Sequence, residues 1–369
     1  MKQTVAIVLS VLLALAVALG IWKSKNTPTD SKSNSLLSLT SPPAKKVRLL
    51  TGSAKFSYLQ DPEMQALLRK NGIELELIKS GSFEQDKGQA VDLDAVWPAG
   101  ANQANDWQAL MPGSTSHPVM STALALASWK ALLPVFEKNG LGKVSANAHG
   151  DFYLDKALPM MLAGKRWSDL QDNTVFAVNK SFLINTPDLR KSNTSALYIA
   201  ALAYIHNKNE VPQQKDAAEQ MAKLLAPLIT RQGFQEGTLA GPFEDYLGQG
   251  MGKAPLVLIY ESQFLEARSQ KKLNDQHFLL YPQPGLLLKH VLIAKTESGK
   301  KLGTLLATDP DAQKIAARFG FRTNDPAIFS AHAKELGLDA PPLLNLAETP
   351  STAILDSMVQ TIVNIMESK

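Results

Sequence analysis

The 369-residue chain contains no cysteine. That excludes disulfides, thiolate catalysis and cysteine-based zinc sites, and leaves no thiol for lipid attachment behind an N-terminal segment. Histidines are few and scattered, at 117, 149, 206, 277, 290 and 332. None has the His-x-x-x-His or His-Glu-x-x-His spacing that puts two imidazoles on one helix face around a metal. There is no Gly-x-Ser-x-Gly elbow and no Walker or dinucleotide glycine pattern. No enzyme, no cofactor and no metal site is therefore expected. A basic cluster with interleaved aromatics is also lacking, which argues against nucleic-acid binding. The formal net charge of +4 owes three charges to Lys2, Lys23 and Lys25, leaving +1 for the rest.

Lys2 and Lys23 enclose Thr4 to Trp22, nineteen residues without a charge. The segment has two readings. One is a cleaved signal peptide, with a basic start and small residues at Ala14, Ala16 and Ala18. The other is a retained anchor, long enough to cross about 30 Å of hydrocarbon, with Trp22 and Lys23 at its interfacial end. The apolar run continues past the Ala-x-Ala positions, which favours the anchor. Residues 23–46, rich in Ser, Thr, Pro and Lys, read as a flexible stalk. This layout puts the body, 47–369, on the periplasmic or extracellular face, tethered to the cell membrane.

Two short turns stand out in the body. Gly52-Ser53-Ala54-Lys55 follows the apolar run Val47 to Leu50, and Ser80-Gly81-Ser82 follows Ile73 to Ile78, with a helix-like stretch from Asp61 to Lys70 between them. This is the β-turn-α-β-turn pattern of an open α/β sheet, whose ligands gather at the carboxyl ends of the strands. Gly lets backbone approach a ligand, and Ser supplies a hydroxyl near a helix start. Further strands are predicted at Ala90 to Trp97, Pro118 to Leu126, Thr174 to Val178 and Ala254 to Tyr260, and Leu286 to Ala294 is a further apolar run. Helices are predicted over Trp129 to Lys138, Leu154 to Ala163 and Ala196 to Ile205, the last with Ser192-Asn193-Thr194-Ser195 at its start as natural caps. Gly140 to Gly150 shows no periodicity. Asp92 and Asp94 share a strand face that could bind a cation, with strand-end solvation the preferred reading, and Met160-Met161 reads as helix packing.

In this order the segments resemble the type 2 periplasmic solute-binding proteins that serve ABC importers. The points of contact are Gly52-Ser53, Ser80-Gly81-Ser82, Asp94 to Pro98, Trp167-Ser168-Asp169-Leu170, Thr186-Pro187 before Ser192 to Ser195, Tyr260-Glu261-Ser262, and Tyr281-Pro282-Gln283-Pro284. They cover roughly 47–322. Related sequences tend to read Thr-Asp-Pro and Ser-Asn-Ser-Gly where this chain has Thr186-Pro187-Asp188 and Ser192-Asn193-Thr194-Ser195.

The resemblance implies a two-lobed α/β fold with two crossovers. Lobe one would take about 47–123 and 265–369, and lobe two about 124–264. It also implies a ligand cleft lined by Ser53, Lys55, Ser80, Ser82, Trp97, Ser121, Ser192, Asn193, Tyr260 and Glu261. Glu261 sits poorly with a simple anion receptor, so the sign of the ligand stays open. The function expected is capture of a small polar or anionic solute by hinge closure, and its presentation to a membrane transporter or other envelope complex. The alternative is an envelope interaction module that kept the fold without binding a small molecule.

Overall fold

The computed structural model describes residues 44–79, 92–98, 100–146, 148–238 and 240–368. The apolar segment 4–22, the expected stalk up to residue 43, and Ser80 and Ser82 lie outside the described residues. Among the described residues no helix is long and apolar enough to cross a membrane.

The strands are β1 (Lys45–Thr51), β2 (Ile73–Lys79), β3 (Ala95–Trp97), β4 (Thr115–Trp129), β5 (Gly142–Ala146), β6 (His149–Tyr153), β7 (Leu256–Tyr260), β8 (His277–Gln283), β9 (Leu287–Ala294) and β10 (Arg322–Thr323). β1 pairs in parallel with β2, Leu49 opposite Leu77, and with β3, Leu50 opposite Val96. Parallel neighbours need a crossover, and the helix Pro62–Lys70 lies in the one between β1 and β2. Its start combines Asp61, which accepts from the N–H groups of Glu63 and Met64, with Pro62 at the first helical position. Met64 and Leu68, one turn apart, are buried.

β4 holds the two halves together. Its first half pairs antiparallel with β9, from Thr115 opposite Ala294 to Ala123 opposite Leu287. Its second half pairs with β7 on one edge and β8 on the other, Leu124 opposite Tyr260 and Leu126 opposite Leu280. β6 continues that second sheet in parallel with β8, and β5 closes it antiparallel to β6. β10 pairs with β4 at Ser121 and Met120. The chain thus passes between the sheets twice, along β4 and from β8 into β9, and the Leu124 N–H donates to the Leu286 carbonyl at 2.8 Å where the passages meet.

Each sheet carries its own apolar packing. Val47, Leu49, Tyr58, Trp97, Leu292 and Leu302 belong to the core of the first. Leu126, Phe152, Trp167, Ile199 and Leu258 belong to the core of the second. The helix Asn193–His206 buries residues all round, as an interior helix does. The helix Thr352–Glu367 packs against Lys215–Thr230.

Two segments differ from the sequence reading. Residues 174–178, predicted as a strand, form a loop with Val175 and Val178 exposed. Asn173 shapes it, donating to the Trp167 and Phe176 carbonyls while accepting from the Phe176 N–H. Local side-chain bonding outcompetes a ladder there. Conversely, the Gly-rich stretch at 140–150 folds into β5 and β6. A Cβ at Gly150 would overlap the Lys143 carbonyl, so glycine permits the close pairing that pattern alone hides.

Candidate functional site

A cavity of about 240 Å³ lies beside the two strand passages. The segment Leu286 to Lys289 forms one wall, and Leu197 and Leu355 add apolar surface. Apart from Thr349, in the loop before the last of them, the other lining residues come from the N-terminal parts of three helices. They are Gly100 to Gln103 of Ala101–Leu110, Asn193 of Asn193–His206, and Thr352 with Asp356 of Thr352–Glu367. Gly100, Ser192 and Ser351 hold the cap positions, and none makes a side-chain capping bond. The first N–H groups of a helix have no intrahelical acceptor and carry the positive end of the macrodipole. Three such ends at one cavity favour a negative or strongly accepting group.

The first of these helices also holds the last. The Asn102 side chain donates to the Pro350 carbonyl at 2.8 Å, and the Thr352 hydroxyl to Asp106 at 2.6 Å. Partial desolvation and the neighbouring Asp106 push the Asp356 carboxyl above its ordinary range. Lys289 adds an exposed ammonium to the wall.

Of the ten residues expected to line a cleft, Asn193 is among those lining this cavity. Ser192 is buried beside it at the cap position. The next hydroxyls do not cap the helix. Thr194 donates to the Tyr260 hydroxyl at 2.8 Å and Ser195 to the Pro187 carbonyl at 2.7 Å. Tyr260 is therefore a buried anchor for the helix start. Ser121 is half-buried on β4, between Lys289 of β9 and Arg322 of β10.

Trp97 is fully buried at the end of β3, edge-on to Tyr58, and is a core aromatic. Lys55 is fully buried too. Its Nζ lies 3.3 Å from the Pro98 carbonyl, 3.4 Å from His290 Nδ1 and 5.4 Å from the centre of the Trp97 ring. Among the described residues no carboxylate pairs with it, and burial pushes its pKa down to about 7. Burial, then the Lys55 charge, holds His290 well below the ordinary histidine range. The backbone of Ser53 opens the short turn Ser53–Lys55.

Glu261 is fully buried and already partnered. Arg322 reaches both of its oxygens, at 2.6 and 2.8 Å, and the Tyr281 hydroxyl donates at 2.5 Å. Arg322 lies on β10, beside the first half of β4, whereas Glu261 opens the helix after β7. The pair binds the two sheets together near the passages. The conflict between Glu261 and an anionic ligand disappears, because this carboxylate is neutralised in place.

Sequence reasoning missed Asn102, Lys289, Thr352 and Asp356. Gly100 followed by a run with helical character offered a signal for the first. The other three depend on which segments fold back to one place.

No protein-family profile matches the sequence, and no curated protein is similar to it. Solved structures are similar in fold. The apo ferric ion-binding protein A of Pasteurella haemolytica gives a TM-score of 0.52 at 12% identity, over 88% of this chain and 96% of its own. An ABC transporter from Clostridium perfringens gives 0.52 at 12% identity, over 87% and 99%. The chain has the two-lobed α/β fold of type 2 periplasmic binding proteins.

Proposed function

We propose that the protein is an exported receptor that captures a small solute carrying an anionic group at the cavity beside the strand passages, and presents it to a membrane transporter or other envelope complex. The observation that supports this most is the convergence of three helix starts without side-chain caps on one cavity. The anionic group would face those N–H donors and Lys289, with Asn102 holding the third helix start in place, while Leu197, Leu288 and Leu355 cover an apolar portion. The proposed lobes are built on the two sheets, with β4 and the β8–β9 connection as the hinge. Contacts from both sides would favour the closed arrangement by the ligand's differential affinity. A periplasmic or extracellular location and a tether through residues 4–22 belong to this reading, as does the absence of catalysis.

A thermal-shift panel of small carboxylates and inorganic oxyanions, run on the full chain, tests it. At least one compound is expected to raise Tm, and Asn102→Leu and Asn193→Leu are each expected to remove the shift. No shift with any compound, or shifts that survive both variants, would overturn the reading.

One observation favours the second reading, an envelope interaction module. Thr349 and Thr352 of the chain's own C-terminal part line the cavity, and the segment they bound is tied to Asn102 and Asp106. A cavity narrowed by its own chain would bind no solute, and the same panel would then be silent.

A further inference from the structure

A second cavity, of about 370 Å³, shares no lining residue with the first. Four cations reach its wall: Arg166, Lys180, Arg231 and Lys253. Two carboxylates, Glu236 and Asp245, reach it as well. Asp245 is paired with Lys253 at 3.6 Å. Arg166, Lys180 and Arg231 make no ion pair among the described residues.

Each of those three is instead held by a backbone carbonyl. Arg166 donates to Asn179 at 3.1 Å, Lys180 to Lys253 at 2.7 Å, and Arg231 to Met161 at 3.4 Å. A guanidinium has five donors and an ammonium three, so among the described residues these bonds hold the groups and leave most of their donors without a partner. Burial and then the nearby Lys253 charge lower the Lys180 pKa, and the Asp245 carboxylate offsets only part of that. Behind them the wall is rigid. The Thr186 N–H and hydroxyl donate to the Gln232 side-chain oxygen Oε1, and Gln235 donates to the Thr186 hydroxyl at 2.9 Å. At the rim stands Phe234, 82% exposed, an apolar surface beside the cations.

We propose that this cavity is a second ligand site, separate from the solute cavity, for an oxyanion of the phosphate class. Arg166 and Arg231 supply forked donors suited to its oxygens, Lys180 supplies a point charge, and Phe234 offers a platform for a ring carried on the anion.

Titration calorimetry of the full chain with inorganic phosphate at low ionic strength tests the assignment. Saturable binding is expected. The double variant Lys180→Gln/Arg231→Gln should weaken it at least tenfold with Tm preserved, while Asn102→Leu should leave it unchanged. If the double variant fails to fold, the exposed Arg231→Gln alone should still weaken binding several-fold. Absence of saturable binding, wild-type affinity in the charge variants, or equal competition by chloride would overturn the site. Phenyl phosphate extends the test. An affinity gain over phosphate that disappears in Phe234→Ala assigns a ring-bearing ligand, and equal affinity assigns the free anion.

Discussion

Lys55 carries an ammonium into the core of the first sheet with one carbonyl and one neutral imidazole for company. Its ordinary pKa of 10.5 falls to about 7. Between those values the unfolded chain holds a proton that the folded chain lacks, so this residue makes stability rise with pH across that window. Below pH 7 both states are protonated and the folded state bears the full desolvation cost, on the order of 5 kcal/mol. Lys55→Met should therefore raise Tm clearly at pH 6, and the gain should shrink as pH approaches 10. Calorimetric scans at the two ends check this, and an equal gain at both would contradict it. The sequence showed Lys55 and Glu261 as charges near strand ends. It did not show that one is buried with no carboxylate beside it among the described residues and the other locked to Arg322, because both outcomes depend on distant partners. The spacing between Glu261 and Arg322, 61 residues, leaves no local trace of the pair.

Among the elements, the helix Glu297–Thr308 shows how tightly the first sheet is covered. Gly299 and Gly303 are one turn apart and face the sheet. A Cβ at Gly299 would overlap the Asp94 carbonyl, and one at Gly303 would lie 2.5 Å from the His117 ring. Gly299→Ala should lower stability by about 1 to 3 kcal/mol through overpacking against backbone, measurable in urea unfolding. A neutral or stabilising result would show that the helix can shift away from β3. Asp94, read as a solvated strand-end carboxylate, instead accepts from the Arg48 N–H at 2.8 Å and the Thr296 hydroxyl at 2.6 Å. It ties β1 to the start of this helix. Strands with strong apolar runs, such as β1, β2 and β7, were legible to within a few residues. β5 and β6 were not, since their glycines interrupt the pattern while enabling the pairing. The Asn193–His206 start was legible as a cap region, but its hydroxyls serve Tyr260 and Pro187 rather than the helix end.

At the level of the whole molecule, the order of strands and turns was enough to point to a two-lobed sheet protein. The long-range returns were hidden. β8 pairs in the second sheet and the helix Thr352–Glu367 packs on Lys215–Thr230, although both lie in the stretch that sequence placed with the first lobe. Apolar periodicity tells which face of an element is buried, not what covers it. That return brings Thr352 and Asp356 to the cavity and creates the third helix start on which the proposed function rests. Native mass spectrometry of the purified full chain tests that central claim most directly. The account predicts one small anionic solute bound per chain, lost in Asn193→Leu. A chain that carries no such solute, or whose bound solute is unaffected by that substitution, would contradict it.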